Sequence, residues 1–183
     1  MCFDATLDRI TNQSGLVKER TAEELQKIKL GKTHDVIDTL EDVLLEVDGN
    51  VPVIIEMKGT GDATDARDLA SAVAADLEHY GGEAAVMSFD HDLLKAFAHT
   101  KSKAPLGLTA EGKTKADFDK HHLARGFGIK FVSYAVDHLP NEFVDEIRHK
   151  FELPVITWTV RTPDQVKRSR ESADQMTFEG FLP

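Results

Sequence analysis

Short apolar runs alternate along this chain with segments whose apolar residues recur at helical spacing. The most apolar run, Val51–Lys58, ends in charged side chains, which is typical of a buried parallel strand with polar groups at its carboxyl end. Five later runs predict further strands, at 84–89, 105–108, 131–136, 154–160 and 174–178. Between them, helices are predicted at about 62–80, 90–99, 115–123, 141–151 and 163–172. This alternation predicts a parallel α/β sheet covered by helices.

The first 50 residues show a weaker pattern. Residues 4–20 are polar and rich in turn-forming residues, so we expect a loop there. Thr21 and Glu24 have the spacing of a capping box and predict a short helix that ends at Gly31. Apolar residues at helical spacing predict a longer helix before the turn at Asp48, namely Val36, Ile37, Leu40, Val43, Leu44 and Val47.

Two architectures fit this order of elements: an open doubly wound sheet, and part of an eight-stranded (β/α)₈ barrel. A complete barrel typically needs about 250 residues, whereas this chain has 183. No glycine-rich phosphate-binding motif follows any of the predicted strands, so the pattern gives nucleotide binding little support. The pattern alone leaves both architectures open.

Composition excludes several classes of protein. The chain has 22 Lys and Arg against 32 Asp and Glu, and its formal net charge of −10 disfavours binding to nucleic acid or to an anionic membrane surface. Its apolar runs are too short for a membrane span. Cys2 is the only cysteine, which excludes an internal disulfide and a cysteine-rich zinc site. With no secretory signal pattern at the start, we expect a cytoplasmic protein.

Glu56 and Lys58 are the first candidates for a functional site. They are two residues apart at the end of a predicted strand, so both side chains point to the same face of the sheet. A carboxylate suits a hard divalent cation, and an ammonium group suits a phosphate oxygen. A surface ion pair at the end of a strand explains the same two residues, and both interpretations stay open at this point.

Several short motifs, in their order and spacing, resemble those of glycerophosphodiester phosphodiesterases. They are Asp-Ala-Thr-Leu-Asp-Arg-Ile-Thr-Asn at 4–12, Thr-Leu-Glu-Asp-Val at 39–43, Ile-Glu-Met-Lys at 55–58, Ser-Phe-Asp at 88–90, Pro-Leu-Gly-Leu at 105–108 and Trp-Thr-Val at 158–160. That family folds as a (β/α)₈ TIM barrel with a small insertion after the second barrel strand. The resemblance therefore implies one domain over residues 1–183 that lacks the first two βα units. The six predicted strands would be strands three to eight of an incomplete barrel.

The resemblance also implies a reaction and a site. The family hydrolyses glycerophosphodiesters, which are small molecules of lipid metabolism, to sn-glycerol 3-phosphate and an alcohol, with Mg²⁺ or Ca²⁺ as cofactor. Glu56 would be a metal ligand and Lys58 would contact the substrate phosphate. Trp158 would line the wall beside the glycerol or alcohol group, although a lone tryptophan is more often part of a core.

Departures from the family pattern predict impaired catalysis. The opening His-Arg-Gly and the Glu-x-Asp pair of metal ligands have no counterpart in the chain, and Phe3 stands where the second histidine is expected. Phenylalanine cannot transfer a proton. Glu56 alone provides too few oxygen ligands for a cation that takes six or more, so we expect poor metal binding. The alternative to an impaired enzyme is a catalytically dead phosphate-binding remnant or regulatory module. Glu179 lies where the family commonly has a Thr-Asp pair, and its role stays open.

Two further expectations concern the strand edges and the histidines. Without two barrel strands, Val51–Met57 and the strand near 174–178 would each lose a neighbour, and such edges favour association into homo-oligomers. Of the eight histidines, His91 follows a predicted strand, at a position that varies in the family. His121 and His122 are adjacent, so they cannot both face one metal from a helix. The remaining five are expected to be solvated, namely His34, His79, His99, His138 and His149.

Overall fold

The computed structural model describes residues 5–182, so Phe3 and Asp4 lie outside the described residues. Within this range six parallel strands form one sheet in the order β1-β2-β3-β4-β5-β6. The strands are β1 (Val53–Glu56), β2 (Ala84–Ser88), β3 (Leu106–Ala110), β4 (Phe131–Ala135), β5 (Val155–Val160) and β6 (Gln175–Phe178). The α-helices are α1 (Ala22–Leu25), α2 (Leu40–Val47), α3 (Ala63–His79), α4 (His91–Ala98), α5 (Lys115–Leu123), α6 (Glu142–His149) and α7 (Pro163–Ser172). Short 3₁₀ turns cover Val17–Glu19, Ala124–Phe127 and Val136–His138.

The strand order decides between the two architectures. A doubly wound sheet reverses its strand order and carries helices on both faces. Here each strand pairs with the next one along the chain, without a reversal in the described residues, and the main core lies between the sheet and one layer of helices. The prediction of an incomplete (β/α)₈ barrel is therefore confirmed, as an open, six-stranded half-barrel.

Strand periodicity divides the sheet into two faces. In β3, Leu106, Leu108 and Ala110 belong to the core shared with the helices, whereas Gly107 and Thr109 face the opposite way. The same alternation runs through the neighbouring strands, because their register is continuous. We call the face opposite the helices the concave face. Polar side chains that end strands on this face can meet at one mouth.

Residues 5–38 form a small lobe with a core of its own. Leu7, Ile28 and Ile37 are buried together there, and three isolated antiparallel bridges connect its segments. The capping box of Thr21 and Glu24 is present, but α1 ends at Leu25 rather than near Gly31.

The predicted start of the second helix is wrong. Val36 and Ile37 do not belong to α2, which begins at Leu40. The physical reason is a second capping box, in which Thr39 and Asp42 satisfy each other's backbone N–H groups and fix the helix start. Val36 instead makes one of the lobe's bridges, and Ile37 belongs to its core, so their apolar character serves the lobe.

The two outer strands have one partner each among residues 5–182, β2 for β1 and β5 for β6. Val53 and Met57 direct their N–H groups towards β2, onto the carbonyls of Glu83 and Met87 at 2.9 and 2.8 Å. The alternation of a strand then places the N–H and C=O of Ile54 on the outer edge. Ile54 is 44% exposed. Association through this edge stays a prediction.

Candidate active site

Glu56 and Lys58 lie at the carboxyl end of β1, on the concave face. The Lys58 ammonium donates a hydrogen bond to Glu56 Oε1 over 2.5 Å. The carboxylate is the more covered partner, since its side chain is 16% exposed and that of Lys58 is 43% exposed. The pair therefore presents a positive group to solvent, with its negative partner behind it.

An aromatic wall connects this pair to Trp158. Lys58 Nζ lies 5.7 Å from the centre of the Phe89 ring, and that ring meets Trp158 edge to face with their centres 5.4 Å apart. The Trp158 indole N–H donates to the Ser133 carbonyl over 3.2 Å. The structure thus brings together Glu56, Lys58 and Trp158, the three residues singled out in the sequence. The contact between Lys58 and Trp158 runs through Phe89, which the sequence analysis missed. Phe89 follows β2 on the same face as Met87, so the strand period contained the signal for it.

The small lobe lies next to Lys58. A cavity of about 450 Å³ is lined by Lys58 and Thr60 together with the lobe residues Lys18 and Glu19. Lys18 pairs with Asp65 at 3.8 Å, and the Thr60 hydroxyl donates to the same carboxylate over 2.6 Å. The Lys18–Asp65 pair joins the lobe to α3, next to the turn that follows β1. Lys58 therefore borders a cavity that the lobe shares with the turn after β1 and with α3.

Two other acidic residues at strand ends have structural partners. Asp90 caps α4 by accepting the N–H of Asp92 over 2.8 Å. A Cβ on Gly59 would lie 1.9 Å from an Asp90 carboxylate oxygen, so glycine is needed for this close approach. Glu179 pairs with Arg161 at 2.8 Å, with both side chains more than half exposed. Whether Glu179 replaces the family's Thr-Asp pair stays a prediction.

A hydrogen-bonded network holds the turn after β3. The Gly112 N–H donates to His138 Nδ1 over 2.7 Å, and the Tyr134 hydroxyl donates to the Gly112 carbonyl over 2.8 Å. His121 Nε2 lies 2.9 Å from the Glu111 carbonyl. Burial raises the pKa of Tyr134, which keeps its hydroxyl a donor. The expectation of a solvated His138 is wrong, because the β3–β4 pairing brings it to a turn 26 residues earlier in the chain.

His121 makes this network sensitive to acid. Burial lowers the pKa of His121, and burial also lowers that of His91, so the folded chain holds fewer protons than the unfolded chain near the ordinary histidine pKa of about 6.5. Their contribution to stability is complete above that pH and is lost as the pH falls through the lower folded-state values. We expect the melting temperature to fall between about pH 7 and pH 5. The slope should be smaller in His121→Gln, which keeps a donor for Glu111 but cannot titrate. An unchanged slope in thermal melts would contradict this assignment.

The described residues do not fit a divalent metal ion. Within residues 5–182, no group of three or more His, Cys, Asp or Glu side chains is placed to hold one. The Glu56 carboxylate already pairs with an ammonium group, which would repel a bound cation. A Mg²⁺ or Ca²⁺ site normally gathers six or more oxygens. A separate finding concerns membranes: among the helices of residues 5–182, none has both the length and the apolar character that a membrane span requires.

Solved structures share this fold. A phosphodiesterase from Oleispira antarctica, in complex with the product sn-glycerol-3-phosphate, matches with a TM-score of 0.83 at 14% identity, over 97% of this chain and 74% of that chain. A glycerophosphodiester phosphodiesterase from Parabacteroides distasonis matches with 0.69 at 18% identity, over 86% and 66%. One from Agrobacterium tumefaciens matches with 0.68 at 19% identity, over 96% and 75%. At these identities the likeness concerns the fold alone. No curated protein matches the sequence.

The sequence itself provides the stronger comparison. The model of the glycerophosphoryl diester phosphodiesterase family matches residues 1–173 of the 183. That match includes the lobe, the first five strands and all three residues singled out in the sequence. Together with the half-barrel and its mouth, it shows that the chain belongs to the glycerophosphoryl diester phosphodiesterase family.

Proposed function

We propose that this chain recognises glycerophosphodiesters at the mouth around Lys58, and that its reaction class is their hydrolysis to sn-glycerol 3-phosphate and an alcohol. One observation carries the proposal: a partly exposed ammonium group lies directly beside the aromatic wall of Phe89 and Trp158. An ammonium group has three donor hydrogens, of which Glu56 takes one. The others are available for phosphate oxygens, while the wall offers an apolar surface to the carbon chain of the substrate.

Glu56 has a supporting role in this proposal. Its carboxylate holds the Lys58 ammonium at the end of β1, where the group would otherwise move freely on a flexible four-carbon chain. Its assignment as a metal ligand stays a prediction, since the described residues gather no further ligands around it. The assignment of Lys58 to the phosphate and of Trp158 to the glycerol or alcohol group is part of the proposal.

We infer that hydrolysis by this chain is slow. Cleavage of a phosphodiester needs an activated water molecule and a proton for the leaving alcohol, and positioned acids and bases contribute about 10²–10⁴-fold to such rates. Phe3 stands at the family's second histidine position and cannot supply that proton. The described residues also lack a group that fits a metal ion, the other source of an activated water molecule.

An assay of released sn-glycerol 3-phosphate tests this inference. With glycerophosphocholine or glycerophosphoethanolamine and either Mg²⁺ or Ca²⁺, we expect turnover about 10²–10⁴-fold below that of the Oleispira antarctica phosphodiesterase assayed in parallel. Phe3→His alone should not restore activity, because the metal ligands are still missing. Fast turnover that depends on the metal and disappears in Glu56→Gln would contradict the inference.

The second candidate function is a phosphate-binding or regulatory module without turnover. The closed Glu56–Lys58 pair favours it, because a carboxylate engaged with an ammonium group is poorly placed to bind a metal. The same assay of product release, run together with a binding titration, distinguishes the two functions. Binding of sn-glycerol 3-phosphate without any product formation, even at high protein concentration, would identify the module.

A further inference from the structure

Two buried hydroxyl groups lie side by side on the concave face. Thr109 of β3 and Ser133 of β4 are paired in the register of the sheet, and their side chains point to the same face. Thr109 is 3% exposed and Ser133 is 0% exposed. Within the described residues, neither hydroxyl oxygen has a hydrogen-bond partner. Buried hydroxyls without partners are unusual, since burial removes their hydrogen bonds to water without replacing them.

Other buried hydroxyls in this chain do have partners. The Thr157 and Ser169 oxygens, between β5 and α7, are 2.6 Å apart. Ser88 donates to the Met57 carbonyl over 2.8 Å. All three of these residues are as buried as Thr109 and Ser133. The unpartnered hydroxyls therefore form a local feature of the concave face and not a general property of the fold.

Aromatic side chains lie near the two hydroxyls along the strands. Towards the amino ends of the strands, the Phe131 ring occupies the space beside Gly107, where a Cβ would lie 2.3 Å from a ring carbon. Towards the mouth, the Trp158 indole is hydrogen-bonded to the backbone carbonyl of Ser133 and packs against Phe89. Phe89 is 40% exposed, so this side faces solvent.

We propose that Thr109 and Ser133 bind the hydroxyl groups of the glycerol moiety once Phe89 and Trp158 move aside. This inference rests on the proposed function. Neighbouring strands are about 4.8 Å apart, and each hydroxyl can both donate and accept, which suits two adjacent alcohol groups. Lys58 lies on the same face, two strands from Thr109 and three strands from Ser133, roughly 10 and 14 Å across the sheet, and its long side chain spans part of that distance. The phosphate and the diol are then held by different strands.

Fluorescence provides a direct measurement, because Trp158 is the only tryptophan in the chain. The full chain and the variants Thr109→Val and Ser133→Ala are titrated with sn-glycerol 3-phosphate and, separately, with inorganic phosphate. We expect the Kd for sn-glycerol 3-phosphate to rise about two- to tenfold in each variant, as for the loss of one neutral hydrogen bond. The Kd for inorganic phosphate should not change. Thr109→Ser keeps the hydroxyl and should bind sn-glycerol 3-phosphate like the parent chain.

Thermal stability without ligand adds a second readout. Removing a buried, unpartnered hydroxyl should raise the melting temperature, by about 2–4 °C in a chain of this size. A lower melting temperature or a failure to fold in Thr109→Val would overturn the inference, because it would reveal a structural role. Unchanged affinity of both variants for sn-glycerol 3-phosphate would overturn the inference and leave the proposed function intact. A parent chain that binds neither ligand would overturn the proposed function, and this inference with it.

Discussion

Replacing Lys58 with methionine is expected to weaken binding of sn-glycerol 3-phosphate by about 10- to 150-fold. A hydrogen bond from a charged donor contributes about 1.5–3 kcal/mol, and each 1.4 kcal/mol is a factor of about ten in Kd. Methionine keeps an unbranched side chain against the Phe89 ring, so the substitution removes the positive charge with little loss of packing. Titration calorimetry or Trp158 fluorescence measures the change.

Two further variants test whether the loss of affinity comes from the positive charge of Lys58 itself. Lys130→Met removes an exposed lysine just before β4, at the opposite end of the sheet, and should leave the Kd unchanged. Glu56→Gln removes the negative charge beside Lys58 but keeps an oxygen that can accept the same hydrogen bond, so it should bind the phosphate at least as tightly as the parent chain in the absence of metal. Parent-like binding by Lys58→Met would show that the phosphate binds elsewhere. Weaker binding by Glu56→Gln only when Ca²⁺ or Mg²⁺ is present would assign Glu56 to a metal.

The purified chain is expected to associate through the outer edge of β1, and Ile54→Pro should return it to a monomer of 20.3 kDa. The Ile54 N–H and C=O point away from β2, and the strand is apolar up to Glu56, so a second copy can pair along this edge. Proline removes the outward N–H without removing a hydrogen bond to β2. Sedimentation velocity over a wide concentration range measures the shift.

A control variant distinguishes pairing along the β1 edge from nonspecific association through exposed apolar side chains. Leu123 is 65% exposed at the end of α5, far along the chain from the β1 edge, and Leu123→Lys should associate like the parent chain. A parent chain that stays monomeric, unfolds cooperatively and exchanges its amide protons slowly along residues 51–57 would contradict the prediction. It would mean that another part of the chain covers the edge.

Local pattern was sufficient for most of the sheet. The six strands and the helices between them follow from apolar runs and helical spacing, because each βα unit has its own local signals. The helix start at Leu40 was misplaced, since Val36 and Ile37 fit the helical period while serving the core of the lobe. Periodicity cannot tell which of two cores an apolar residue joins.

Only part of the candidate site could be predicted from the sequence, for a related reason. Glu56 and Lys58 share a face through strand period alone, which needs no tertiary knowledge. Phe89 could have been found in the same way. The partnership of His138 with Gly112 depends on how β3 and β4 align, which no local pattern reveals. That the Thr109 and Ser133 hydroxyls are buried without partners depends on the pairing of β3 with β4 and on what packs over them, and this burial exists only in the folded chain.

The unbroken strand order has a consequence for folding during synthesis. Every strand pairs with the one made just before it, so each pairing closes a loop of a single βα unit, and the entropy cost of closure stays modest. As the chain emerges from the ribosome, each new strand finds the previous one already available as a template. The sheet can then grow in one direction from β1 to β6, and each arriving unit covers the edge exposed by the last. Among residues 5–182 no later strand covers the outer edge of β1, so of the edges in this sheet it is the one that a chaperone or a second nascent chain would meet for the longest time.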